Sequence, residues 1–400
     1  MMLRGLFACL GLLALFGANV DPSWASPNAP IAWQIAAAPD DEAALATATS
    51  QLCNRQVAML GEASHGDGHT DAFKVALIER LVRRCGYRAV FFEASFYEFV
   101  PIARARRQGA PVTPGMIATA IGGLWKFDRE FQALLPFLAQ GVNDGRLTVG
   151  GIDFQTGGLD QDYSNEGFVN ELTAGLDPVQ AESCKSLARD RLYTGLAPER
   201  QQEAARCLAA IARNLPPGNR QEADERRLML ANLEMAFATD PANRRADYIA
   251  DRDRQMYVNF QRLKQRMAPD TKIIVWSATA HIANGADELP DFAGIGNFGS
   301  YIHRRYGNRV FALGFSALAG NQRWGRTVRV LPDAPSDSLE TLAMSGTAAN
   351  AVFLDQGDLR RAGAAPAAAF NHLYHRARWG ERLDGMIVFR EEHAAESLRH

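Results

Sequence analysis

Beyond its amino-terminal segment, this 400-residue chain has no apolar run long enough to cross a membrane, which excludes a membrane-spanning helix in its body. It also has no excess of either charge: 43 Lys and Arg against 45 Asp and Glu give a formal net charge of -2. A near-neutral chain carries no electrostatic footprint for nucleic acid and no polybasic membrane patch. Cysteine is scarce, with five in all, and none sits in a CxxC or Cys/His spacing that would build a zinc module. No Gly-x-Ser-x-Gly elbow surrounds Ser64 or Ser277, so neither reads as a serine-hydrolase nucleophile. No internal repeat stands out.

What is present begins with a leader. Arg4 supplies a positive start, residues 6–16 an apolar stretch shorter than a span, and Ser23-Trp-Ala25 a small-x-small cleavage site. Residues 1–25 are expected to be a cleaved signal peptide, giving a periplasmic or secreted protein with no anchor after cleavage. Residues 26–40, rich in Ala and Pro, read as a linker. The mature chain keeps Cys53, Cys85, Cys184 and Cys207, which allow three pairings in an oxidising compartment. Cys53–Cys85 and Cys184–Cys207 are favoured, because the first pair flanks the first strand and helix and the second lies within one helix-rich segment. Buried free thiols are the alternative.

Short, continuously apolar runs at 57–60, 89–92, 147–152, 272–276, 310–315, 351–354 and 386–389 predict strands of a parallel sheet covered on both faces. Between the first two, Phe73, Leu77 and Leu81 with Ile78 and Val82 have helical spacing and stop at Cys85-Gly86. That strand–helix–strand order favours a parallel pair joined by a crossover. From Asp160 to Met267 the composition turns to Arg, Glu, Ala and Leu, with a break at Leu215-Pro-Pro-Gly218, which reads as amphipathic helices packed as a cap. The expected fold is α/β: a mostly parallel sheet with helices on both faces, its core at 41–159 and 268–400 and a helical insertion at 160–267. Residues 363–369 read as a small low-complexity loop or helix start.

In open α/β sheets, ligands bind beyond the carboxyl ends of the strands. Glu62, Glu93 and Asp153 fall at such ends, and His281 follows another closely. The turn Gly61-Glu-Ala-Ser-His-Gly66 places Glu62 three residues before His65, a general base near neutral pH. Glu62 and Glu93 are expected to orient His65 or hold water. Lys74, on the following helix, is a candidate for binding a carboxylate or stabilising an oxyanion, with a solvated lysine as the alternative. His69 reads as a surface or supporting residue, and the histidines from His372 onward have no metal-like spacing.

These segments, in order, resemble the erythromycin esterase family. The resemblance rests on Gly61-Glu-Ala-Ser-His-Gly66, the Lys74 helix, Gly86-Tyr-Arg-Ala-Val-Phe-Phe-Glu93 and Gly151-Ile-Asp-Phe-Gln155. It continues through Arg252-Asp-Arg-Gln-Met256 with Asn259, Trp276-Ser-Ala-Thr-Ala-His281, and Tyr306-Gly through Gly314-Phe315. It implies an α/β hydrolase of esters or lactones that needs no metal or other cofactor. By the same resemblance His65 activates water, Glu62 and Glu93 match the family's glutamates and Lys74 its basic helix residue; His281, Lys74 and Asp153 are expected to bind the small-molecule substrate. Two places depart: Gly66-Asp-Gly-His-Thr-Asp71 differs from the usual threonine/serine-x-glutamate pattern, and where the family pairs two histidines after the tryptophan the first is Ala278 here, so a macrolide is not indicated. Two other readings use the same residues. Glu62, His65, Glu93 and His281 are credible metal ligands for a metal-dependent hydrolase, or the cleft serves a non-catalytic periplasmic binding protein.

Overall fold

A computed structural model describes residues 41–156, 161–191, 196–239, 245–286 and 296–398. The expected leader and linker, residues 1–40, lie outside the described residues. Strands β1 (Val57–Leu60), β2 (Tyr87–Ser95), β3 (Thr148–Asp153), β4 (Lys272–Trp276) and β5 (Val310–Trp324) come first. They are followed by β6 (Thr327–Val330), β7 (Ala351–Asp355), β8 (Ala364–Phe370), β9 (Leu373–Arg378) and β10 (Gly385–Glu392). The main sheet runs β3-β2-β4-β1-β5-β10-β7, with β6 paired to the end of β5. Its pairs are parallel except β10–β7 and β5–β6. β8 and β9 form a separate antiparallel hairpin.

The runs 57–60, 89–92, 273–276 and 310–313 at the centre of the sheet are apolar because both of its faces are covered there. Ala58, Leu60, Val90, Phe92, Ile274 and Trp276 point into one core, shared with helix α1 (Glu42–Cys53) and helix α2 (Gly68–Cys85). Val57, Met59, Ala89, Phe91, Ile273 and Val275 point into the other, filled by Met256, Phe260, Phe298 and Ile302. Helix α2 ends at Gly86, whose positive φ of 74° lets its N–H close back on the Leu81 carbonyl. Between Tyr163 and Lys264 every element among the described residues is helical, and these helices close a third apolar cluster around Phe168, Leu187 and Met229. Among the described residues no helix is long and apolar enough to cross a membrane.

Both favoured disulfides are present. Cys53 joins Cys85 with Cα atoms 4.8 Å apart, and Cys184 joins Cys207 at 5.5 Å. Two expectations need correction. β1 and β2 are parallel members of one sheet but not neighbours, because β4 lies between them. Residues 363–369 are neither loop nor helix start: they are mostly β8, whose small side chains fit beneath Trp379 and Phe370 in the second core.

Candidate active site

Inserting β4 between β1 and β2 decides where the polar groups meet. β1 leads into the turn 61–67, β2 carries Glu93 near its end, and β4 delivers Trp276, Ser277 and Ala278 between the two. The pairing of β2 with β3 is irregular between Phe92 and Ser95, so Glu93 sits in a bulge. Gly151 of β3 makes room for it: a Cβ there would lie 2.5 Å from the Ala94 and Ser95 carbonyl oxygens.

The turn 61–67 is held at three of its peptides, 62–63, 63–64 and 66–67. The Glu62 carbonyl accepts from Thr279 N at 2.9 Å and Thr279 Oγ1 at 3.0 Å, and the Ala63 carbonyl from Asn371 N at 2.8 Å. The Ser64 N–H donates to Asp67 Oδ2 at 2.8 Å. The Gly66 carbonyl accepts from Arg323 N and Ala395 N at 3.0 and 2.9 Å. Only glycine fits at 66, because an added Cβ would lie 1.8 Å from the Arg323 carbonyl oxygen.

Glu62 is buried, and its carboxylate accepts four hydrogen bonds, one for each lone-pair position. Oε1 takes His65 Nδ1 at 2.5 Å and Trp125 Nε1 at 3.1 Å, while Oε2 takes Lys74 Nζ at 2.6 Å and Trp276 Nε1 at 2.9 Å. Lys74 also lies over the Trp276 ring, 3.7 Å from its centroid. Burial works against the carboxylate's charge, but Lys74 and His65 outweigh it and hold the Glu62 pKa below its usual value. His65 shows the converse. Burial disfavours the imidazolium, but the bond from Glu62 and the charges of Glu62 and Glu93 raise its pKa above the ordinary value.

A second network lies at the ends of β2, β3 and β4. Arg252, on the helix Arg245–Lys264, donates from Nη2 to Glu93 Oε1 and to Asp153 Oδ2, each at 2.7 Å, and from Nε to Asp153 Oδ2 at 2.9 Å. Glu93 Oε2 accepts from Ser277 Oγ at 2.7 Å and from Ala278 N at 2.9 Å. His281 follows β4 on the short helix Thr279–Ile282 and places Nε2 3.2 Å from Glu93 Oε1. Its Nδ1 donates to Asp253 Oδ1 at 2.6 Å, and Asp253 Oδ2 is fixed by Phe298 N at 2.9 Å. Burial would lower the His281 pKa, yet Asp253 and Glu93 push it up to about 10, so the ring is cationic at neutral pH. Glu93 is held well below the carboxylate range despite burial, chiefly by His281 and Arg252.

All six residues expected from sequence thus fall into two adjoining networks, Glu62, His65 and Lys74 in the first and Glu93, Asp153 and His281 in the second. Lys74 needs correction. Its side chain is 0% exposed and its ammonium is bonded to Glu62, so it is not a solvated lysine. Ser277 spends its hydroxyl on Glu93. Arg252 and Asp253 had no role assigned from sequence. A signal was available, since Asp253 shares an inward helical face with Met256 and Phe260, where an aspartate must have partners. Nothing in the sequence marks Trp125 or Trp276 as an N–H donor to a carboxylate. His65 differs from the rest in exposure: its side chain is 29% exposed, against 12% for His281, 14% for Arg252 and 0–3% for Glu62, Glu93 and Asp153. Among the described residues no protein group bonds its Nε2.

The family model for erythromycin esterase matches residues 82–392, a span that begins after the Glu62–His65 turn. The chain belongs to the erythromycin esterase family. This family member is 23% identical over 340 residues to the putative hydrolase YbfO of Bacillus subtilis (strain 168), covering 76% of this chain and 75% of that one. Its fold is similar to a Bacillus cereus protein of known structure, with a TM-score of 0.69 at 17% identity, covering 89% of this chain and 93% of that one. A succinoglycan biosynthesis protein gives 0.68 at 16% identity, with 91% and 94% covered. A histidine-to-asparagine mutant of the erythromycin esterase EreC, in its open conformation, gives 0.60 at 14% identity, with 89% and 95% covered. These structural likenesses bear on the fold, while the family match makes the chain an erythromycin esterase-like hydrolase.

Proposed function

We propose that this protein is an exported hydrolase of carboxylic esters or lactones in which His65 activates water. The observation that carries the reading is the state of the His65 ring. Nδ1 donates to a carboxylate whose other lone pairs are all used, which fixes the tautomer and leaves the Nε2 lone pair on the open edge. In the step proposed, Nε2 takes a proton from water as the water oxygen attacks the ester carbonyl. The C=O electron pair moves onto oxygen, and the resulting oxyanion is stabilised by the cationic His281 and Arg252. Collapse breaks the acyl C–O bond, and the His65 imidazolium returns the proton to the departing alkoxide.

The chemistry is supplied by protein groups alone in this reading. Glu62 and Glu93 each accept four protein donors, and Lys74 and Arg252 put positive charge where a bound cation would sit. Among the described residues no group of three or more His, Cys, Asp or Glu is placed to hold a metal ion. Export is supported by the two disulfides, which persist in oxidising compartments.

The test is His65→Ala in the purified full chain, assayed against a panel of aryl and alkyl esters and lactones. Loss of roughly 100-fold or more in kcat, the scale of general-base catalysis, is expected. Parent-like turnover would remove His65 from the reaction. Stoichiometric metal in the purified protein, with turnover abolished on its removal, would assign the site to metal-assisted hydrolysis instead.

A further inference from the structure

The tip of the β8–β9 hairpin reaches the turn that carries His65, although it lies more than 300 residues further along the chain. Phe370 pairs with Leu373, leaving Asn371 and His372 as a two-residue turn. Their φ angles of 51° and 53° are both positive, and they are the only non-glycine residues with positive φ among those described. Two positive φ values mark the type I′ hairpin turn, where glycine is ordinarily favoured at the second position and a bulky side chain is disfavoured. Here the second position holds an imidazole that is 2% exposed.

That imidazole has one protein bond, from Nε2 to Asp67 Oδ1 at 2.9 Å, and its Nδ1 has no partner. The other oxygen of Asp67 accepts the Ser64 N–H at 2.8 Å. The neighbouring Asn371 N–H holds the Ala63 carbonyl at 2.8 Å. The hairpin tip therefore grips both sides of the Ala63–Ser64 peptide just before His65, its carbonyl directly and its N–H through a buried aspartate.

We propose that His372 is a positioning residue for His65: through Asp67 it locks the 61–67 turn in the one arrangement that keeps the His65 ring on Glu62. This rests on the reading of His65 as the general base. The geometry is demanding, since a displacement of about 1 Å in a catalytic group can cost on the order of 100-fold in rate. His372 never meets substrate. Its effect is felt through the direction in which the His65 ring points.

The experiment follows the His65 ring by NMR titration in the full chain, alongside steady-state hydrolysis of p-nitrophenyl butyrate. His372→Asn keeps a side chain that tolerates positive φ but falls short of Asp67. His372→Gln restores a donor at the distance of Nε2. The titration midpoint of His65 is expected to fall toward the ordinary histidine value in His372→Asn and to return in His372→Gln. In parallel, kcat falls about 10- to 100-fold with KM within about 3-fold, and His372→Gln recovers to within about 3-fold. If His372→Asn does not fold, His372→Met against His372→Gln makes the same comparison, donor absent against donor present.

An unchanged His65 titration in the donor-less variant overturns the proposal, whatever the rates. So does a change that His372→Gln fails to restore, which would mean general loosening of the turn. Failure of the base assignment looks different, because His65→Ala would then hydrolyse esters like the parent while His65 still titrated as described.

Discussion

Lys74 and Glu62 meet at 2.6 Å with neither side chain exposed to solvent at all. Removing one member of such a pair strands the other as a buried, uncompensated charge, which costs far more than the pair itself contributes. Lys74→Met should therefore lower the unfolding free energy by roughly 3–5 kcal/mol. Urea denaturation of the two proteins measures it. A loss below about 1 kcal/mol, the range of an exposed pair, would mean that the carboxylate is not confined as described.

His65 must be neutral to accept a proton, and its pKa is raised above the ordinary value of 6.5 by Glu62. The acidic limb of kcat/KM should consequently lie above pH 6.5, with activity rising as pH rises through it. Glu62→Gln removes the carboxylate charge, so the limb should move to lower pH while the plateau falls as the tautomer loses its anchor. A pH–rate profile of each protein decides this. A limb that stays in place would separate Glu62 from the titration of His65.

Arg252 answers two carboxylates at once, Glu93 and Asp153, both nearly inaccessible to solvent. Arg252→Met leaves Asp153 without its cation and Glu93 with His281 alone, and should cost roughly 3–5 kcal/mol. Arg252→Lys should recover part of this but not all, since one ammonium lacks the fork that spans two acceptors. Equal melting behaviour of the Lys variant and the parent would argue against that fork.

Asp71 is buried beside the Lys74–Glu62 pair, and neither of its carboxyl oxygens has a hydrogen-bond partner. Burial, with the charges of Glu62 and Asp67 added, raises its pKa well above 3.8. The unfolded chain releases this proton at lower pH than the folded one, so Asp71 subtracts stability once pH exceeds 3.8, and increasingly up to its folded pKa. Asp71→Asn should be stabilising relative to the parent, with a gain that grows with pH across that window. Denaturation midpoints at pH 4 and pH 7 measure it, and a gain that is the same at both would contradict the assignment.

Seven strands of the main sheet, all but β6, were legible because each carries a short apolar run, and the groups at their ends were legible because polar residues there interrupt such runs. Glu62, Glu93 and His281 are visible in that way. Strand order was not, since nothing in 272–276 says that it inserts between β1 and β2. The β8 strand was hidden by its composition: Ala364-Ala-Pro-Ala-Ala-Ala carries little strand propensity and is held by packing against its partner. Arg252 and Trp125 were hidden for a different reason. Each approaches a carboxylate far away in sequence, and only the folded chain shows that distance closing.

β1 has no neighbour close to it in sequence. It pairs with β4, more than 200 residues later, and with β5, further still. Loop closure over such lengths must precede any reward from those pairings, so the centre of the sheet assembles slowly. The turn that carries Glu62 and His65 is consequently a late product of folding. A nascent chain that has emerged only as far as the helix Arg245–Lys264 already contains Glu62, His65 and Glu93, and holds none of them in place for chemistry. Hydrolysis should switch on only when the last third of the chain has closed the sheet.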